Sequence, residues 1–399
     1  MSTFRTLIFP MLILWIGHFL VDLMIGIWPI YKTLAHLDLA IAGFIGGACA
    51  FLGEGLQVFF GSLSDKGYRK ALVLGGIAIA TASAYFVYTD HYVLLFVLYL
   101  LTCLGSSAFH PSAISVIGTL DSKTQGLLIG LFTSGGALGM AFSQLIFVRT
   151  HSWFEGEVAW LALPAILLAF LASFGRLGEK KSTAPTKKVS HPFSLKLFSN
   201  FFAHHELRML YFCQVCNSTL LWGTMFLLPD VLVSRGYDHW ITFGGGHMMF
   251  ILGSAVIMIP AGYLADRYSS RKVLLISITA SLVLLYTLLL NPLMNDYTLL
   301  LVLFAMGAAF GANSPVSILL GTRLVPSQKG LVSAFSMGLV WCVSEGIGQG
   351  LGGFLATCFS TDAPAKALAI LGTLLFAGVI TAYLLPQKEE AIAALEYNK

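Results

Sequence analysis

Long apolar runs separated by short polar breaks dominate the chain from residue 7 onward. The runs fall at about 7–31, 39–61, 71–89, 92–118, 126–148, 157–175, 208–230, 240–264, 272–290, 297–321, 329–358 and 365–385. Each is continuously apolar rather than alternating, and most are near the ~20 residues that carry a helix across a hydrocarbon core. The pattern predicts an all-α membrane protein with twelve transmembrane helices in two sets of six. A β-barrel would need strand-length segments with period-two alternation, which these runs lack.

The polar breaks organise the runs further. Gly61-Ser-Leu-Ser-Asp65 closes the second run, with Arg69 and Lys70 opening the third, and Gly262-Tyr-Leu-Ala-Asp266 with Arg271 and Lys272 repeats this arrangement 201 positions later. Gly105, Pro111 and Gly126 recur as Gly307, Pro315 and Gly330 at offsets of 202, 204 and 204. Two copies of one six-helix unit are implied, so we divide the chain into an N-terminal bundle (1–175), a polar linker (176–207), a C-terminal bundle (208–387) and a tail (388–399). Parallel repeats of this kind place a solute path between the two halves.

Composition agrees with the pattern. The chain is 57% hydrophobic and only 11% charged, against about a quarter charged in ordinary soluble domains. Nineteen of its 23 Lys and Arg fall on the side of the termini if all twelve runs cross, leaving Lys32, Arg149, Arg235 and Lys366 on the other. The positive-inside rule then predicts cytoplasmic termini and a multi-pass protein of an inner or plasma membrane. The net charge of +4 is therefore topological, and no nucleic-acid partner is expected. The first run is too long for a signal-peptide core and reads as a retained span. The six cysteines lie in apolar segments, and Cys213-x-x-Cys216 has no second pair, so neither a metal site nor a cofactor is expected. No phosphate-binding Gly-x-x-x-x-Gly-Lys loop is present, and nothing points to an enzyme.

Ionisable groups inside spans are costly unless they face a cavity or each other. His18 and Asp22 are spaced i, i+4 and share a helix face, which suits either a proton-carrying pair or a fixed structural one. His110, beside Pro111, either faces a central cavity or bonds a neighbouring helix. Glu54 between Gly53 and Gly55, and Glu345 ahead of a run of glycines, are the remaining mid-span acids and can hold a proton, bind a solute or cap a helix. Gln57, Gln144, Asn217, His247, Asn313 and Gln349 can bind solute or join helices.

Twelve spans as six plus six, a basic central loop and the duplicated Gly-x-Leu-x-Asp motif resemble the major facilitator superfamily. His18-Phe-Leu-Val-Asp22 and Gly105-Ser-Ser-Ala-Phe109-His110-Pro111 resemble its fosmidomycin-resistance branch of drug exporters. After Pro111, Ser112-Ala113-Ile114-Ser115 replaces that branch's usual acidic and basic residues. Span 5 carries Gly130, Gly135, Gly136 and Gly139, similar to the glycine-rich fifth helix of antiporters, with Ala137 where the motif has proline. The resemblance implies a monomeric secondary transporter that moves a small organic solute or drug out by alternating access, coupled to protons and in contact with lipid. It also implies a conformational latch at Gly61, Asp65, Arg69, Lys70, Gly262, Asp266, Arg271 and Lys272. A uniporter or exchanger, or a receptor or scaffold without turnover, are the competing readings.

Overall fold

A computed structural model of the chain describes residues 7–120, 125–175, 177, 199, 201–326, 332 and 335–387. Most of the predicted linker, the tail 388–399, and Arg5, Lys123 and Gly330 lie outside the described residues.

Among the described residues, twelve helices make up the two bundles: α1 (Phe9–Leu34), α2 (39–63), α3 (69–88), α4 (Tyr92–Ile117), α5 (Gln125–Trp153), α6 (Val158–Ser173), α7 (His205–Ser234), α8 (Ile241–Arg267), α9 (Ser270–Leu290), α10 (Asp296–Leu324), α11 (335–357) and α12 (Ala363–Tyr383). Nine described helical stretches are long and apolar enough to span, and the stretch Leu39–Tyr88 holds two of the twelve helices. The α2–α3 turn falls at Gly67, whose φ of 104° belongs to the left-handed region. Val158–Ser173 is a shorter apolar helix, and α11 is the glycine-rich one.

The predicted runs match these helices to within a few residues, with two instructive differences. First, α1 continues past Tyr31 to Leu34 and is interrupted at Gly26, where ψ relaxes to −4°. Lys32, one residue beyond the predicted run and counted above among the charges on the far side, is inside the helix and fully buried. Second, α8 runs to Arg267, a few residues past the predicted end at 264, so Asp266 is still in its last turn. The runs at 92–118 and 208–230 include Pro111 and Pro229, and α4 and α7 pass unbroken through both. Polar caps mark the loops opposite the termini: Asp38 accepts from the Ile41 N–H at 2.9 Å and Asn295 from the Thr298 N–H at 3.0 Å, satisfying otherwise orphaned donors.

Large apolar side chains such as Val93, Ile259, Ile276 and Leu290 are exposed, as expected for surfaces that meet lipid rather than water. The apolar interior is divided unevenly. On the terminus side each bundle has its own core, one around Leu14, Ile77, Phe109 and Phe132, the other around Leu274, Val316, Leu320 and Phe335. On the opposite side a single core crosses the molecule, from Trp28, Tyr99 and Phe147 to Phe226, Phe250 and Leu303.

The bundles join chiefly along α2 with α11 and α5 with α8. Glycines allow the first contact: a Cβ on Gly43 would come within 2.5 Å of the Gln349 carbonyl oxygen, and one on Gly47 within 2.7 Å of that of Gly346. Such close backbone approach is how membrane helices associate without a hydrophobic driving force.

Candidate functional site

Two polar centres stand out. The first lies inside the N-terminal bundle, near mid-depth, where α1, α4 and α5 meet. The His18 Nε2 is 3.3 Å from Asp22 Oδ2, as their i, i+4 spacing allows. The His110 Nε2 is 3.3 Å from Asp22 Oδ1 and 3.0 Å from His18 Nε2. The structure thus brings the two short motifs of α1 and α4 into one triad.

The far nitrogens constrain the proton positions. His18 Nδ1 is 2.8 Å from the Phe132 carbonyl oxygen, and His110 Nδ1 is 2.9 Å from that of Ser106. A carbonyl only accepts, so His18 Nδ1 carries hydrogen, while His110 Nδ1 has two partners on Ser106, the carbonyl and, at 3.1 Å, the hydroxyl. With hydrogen on both Nδ1 atoms and both imidazoles neutral, two Nε2 lone pairs would face each other and the carboxylate. The 3.0 Å contact is a hydrogen bond only when one Nε2 is protonated, and the resulting imidazolium is balanced by Asp22. The geometry therefore suits at least one exchangeable proton.

Neighbours hold the triad in place. His18 stacks on Phe132 with ring centres 4.1 Å apart, and Phe109 packs against both rings. From α5, Gly136 approaches so closely that a Cβ there would lie 2.5 Å from Asp22 Oδ2. The side chains of Asp22 and His110 keep 18% and 23% of their surface accessible, enough for proton exchange, whereas His18 keeps 8%. The three donor atoms gather within 4.8 Å, a spacing that suits a shared proton and also a divalent ion.

The other predicted acids are not hydrogen-bonded to the triad. Glu54 accepts from Gln57. Glu345, 4% exposed, accepts from Gln349 Nε2 at 2.9 Å and lines a small cavity between the bundles. Residues from both halves enclose this cavity, among them Gly26, Pro29, Tyr99, Trp222 and Phe226. It thus lies between the two halves of the chain. Of the lesser candidates, Asn217 donates to the Phe310 carbonyl within its bundle, and His247 donates through Nε2 to the Met140 carbonyl across the interface at 3.0 Å. Both join helices.

The duplicated motif makes contacts within each bundle. Lys70 donates to the Ser173 and Gly175 carbonyls at the end of α6, at 2.7 and 2.8 Å. Asp266 pairs with Arg323 of α10, and the Arg271 guanidinium lies 4.9 Å from the Tyr383 ring centre. Asp65 is exposed.

The second polar centre was not singled out from the sequence. Lys32 of α1 pairs with Asp230 of α7, across the bundle interface. Its Nζ also donates to Thr33 Oγ1 at 3.0 Å and sits 4.5 Å from the centre of the Phe226 ring, while the Thr33 hydroxyl is 2.9 Å from Asp230 Oδ1. Nothing local signals a partner 198 residues away. The available clue was an acid and a base placed at the same end of two spans that the duplication makes equivalent.

Two six-helix bundles, a small cavity lined by residues of both and ionisable groups buried within the spans are the architecture of a membrane transport protein. The chain belongs to the Major Facilitator Superfamily, whose profile matches residues 11–248 and again 210–396. It is 25% identical over 310 residues to the probable 4-methylmuconolactone transporter of Cupriavidus pinatubonensis (strain JMP 134 / LMG 1197), covering 73% of this chain and 68% of that one. Among solved structures it is similar in fold to a bacterial homolog of the human lysosomal transporter Spinster, in an inward-facing and occupied conformation. That match has a TM-score of 0.76 at 13% identity, covering 94% of this chain and 95% of the other. The nucleoside transporter NupG gives a TM-score of 0.74 at 15% identity, covering 94% and 99%.

Proposed function

We propose that the chain is a proton-coupled exporter of a small organic solute, working by alternating access. The observation that carries this reading is the His18–Asp22–His110 triad, a mid-depth cluster whose hydrogen bonding calls for a proton on the facing nitrogens. Its residues come from the two motifs that resemble the fosmidomycin-resistance exporters, which supports the export direction. Protonation of the triad changes the charge at the centre of the N-terminal bundle, and that change is the means by which a proton gradient biases the two access states. Glu345, at the cavity between the bundles, is the proposed solute contact, with Glu54 as a further proton or solute group.

The curated relative, named for a lactone, favours a compact organic solute over a large drug. The termini are proposed to face the cytoplasm, in keeping with the distribution of Lys and Arg, and the basic motif residues to touch lipid headgroups on that side. We also propose that one chain transports as a monomer. The Asp65 and Asp266 motifs are assigned as a latch that bridges the bundles only in the state closed on the terminus side.

The test is transport in proteoliposomes with a trapped pH dye, using 4-methylmuconolactone as the first solute. Wild-type protein should move solute in response to an imposed pH gradient. Asp22→Asn should abolish the response while leaving solute counterflow in place. Wild-type flux that ignores the gradient would replace this reading with a uniporter or exchanger.

A further inference from the structure

We infer that Lys32 and Asp230 form the charge lock that holds the molecule shut on the side opposite the termini. The inference rests on alternating access, but it is independent of proton coupling at the triad.

Position comes first. Lys32 lies in the segment of α1 beyond the Gly26 interruption, and Asp230 lies one turn before the end of α7. These segments belong to different bundles, and their contact falls where the single apolar core crosses between the halves. The Lys32 side chain has no exposed surface, and Asp230 keeps 13%. A charge withdrawn from water to this degree is tolerated when it is paired and its remaining donors are used. Here the partners are supplied by the Asp230 carboxylate, the Thr33 hydroxyl and the face of Phe226.

The energetic role follows. For the molecule to open on this side, α1 and α7 must separate, and the pair must part. Both ions then regain water, which offsets the lost attraction, so the pair resists opening without making it prohibitive. Two apolar side chains in the same place would seal more firmly, because separation would give them nothing in return. A single unpaired ion would do the reverse: its need for water would favour the open state.

The lock also touches the cavity. Pro29 and Phe226 line the space beside Glu345. The Thr33 hydroxyl lies 3.1 Å from the Pro29 carbonyl, and the Phe226 ring lies beside the Lys32 ammonium. A solute that shifts either wall therefore shifts a group in contact with the pair, which gives occupancy a direct route to the gate.

The experiment measures the distance between spin labels at Ala35 and Ser234, both exposed at the ends of α1 and α7, in the full chain in lipid nanodiscs. Unnatural amino acids carry the labels, which spares the six native cysteines. Wild-type protein should show a dominant short distance. Lys32→Met and Asp230→Leu, each alone, should lower the ratio of closed to open populations about tenfold or more, because each leaves one buried ion unpaired. The double variant Lys32→Met with Asp230→Leu should return the short distance and exceed the wild type in it. If either single variant fails to fold, the double variant, which has no unpaired ion, still decides the matter. Single variants with the wild-type distribution, or a double variant more open than wild type, would overturn the lock. Failure of proton-driven transport in the wild type would leave this readout untouched.

Discussion

His18 and Asp22 illustrate what a residue pattern can and cannot disclose. Their four-residue spacing placed them on one helix face, and the structure has them 3.3 Å apart. His110 reached the cluster only through the motif resemblance, since nothing in α4 itself says which neighbour an imidazole meets. The tightness of the site was not legible either, because it depends on Gly136 of a third helix. Gly136→Ala puts a methyl group where the Asp22 carboxylate and the His18 ring now sit. We expect it to lose proton-driven transport while lowering stability by about 1–3 kcal/mol, as read by flux in proteoliposomes and by thermal unfolding in detergent. Wild-type flux in this variant would show that the triad's geometry is not needed. Lys32 was left just beyond its span because a lone lysine near the end of an apolar run has the same sequence appearance in a loop as in a buried pair.

At the level of helices, hydropathy located the spans well, and their internal breaks poorly. The interruption of α1 at Gly26 leaves the apolar run intact, so no change of composition announces it. Capping was legible in principle: Asp38 precedes α2 in the position of an N-cap, and its carboxylate is bonded accordingly. Replacing Asp38 with Ala should cost about 1 kcal/mol of stability, measurable as a lowered unfolding temperature without loss of transport. The α2–α11 contact makes a sharper prediction. Gly43→Val places branched carbons against the Gln349 backbone, so the bundles must move apart along this line. We expect a destabilisation of about 1–3 kcal/mol and a weakened closed state, visible as a longer distance between labels at Ala35 and Ser234.

Across the whole molecule, the duplication was the most informative feature of the sequence, since the 201-residue repeat divided the chain into its two bundles. The repeated motif itself proved less transparent. Asp266 pairs with Arg323 inside its own bundle, with 60% of its side chain exposed. An exposed pair of this kind contributes little, about 0–1 kcal/mol. Asp266→Asn should therefore leave the unfolding temperature nearly unchanged. If the motif acts as the proposed latch, Asp65→Asn should slow solute flux at constant stability, and unchanged flux would remove it from the cycle. Under that proposal the motif residues would change partners between conformations, and a sequence does not say which contacts hold in each.

The uneven partition of the apolar interior has its own consequence. A fused hydrophobic seam at one face and two separate ones at the other are complementary halves of a trade, since rocking would open the first while allowing the second pair to merge. Under the proposed alternating access, gains and losses of that kind would offset one another and keep the two postures close in free energy. One proton, one solute or one ion pair would then suffice to tip the balance.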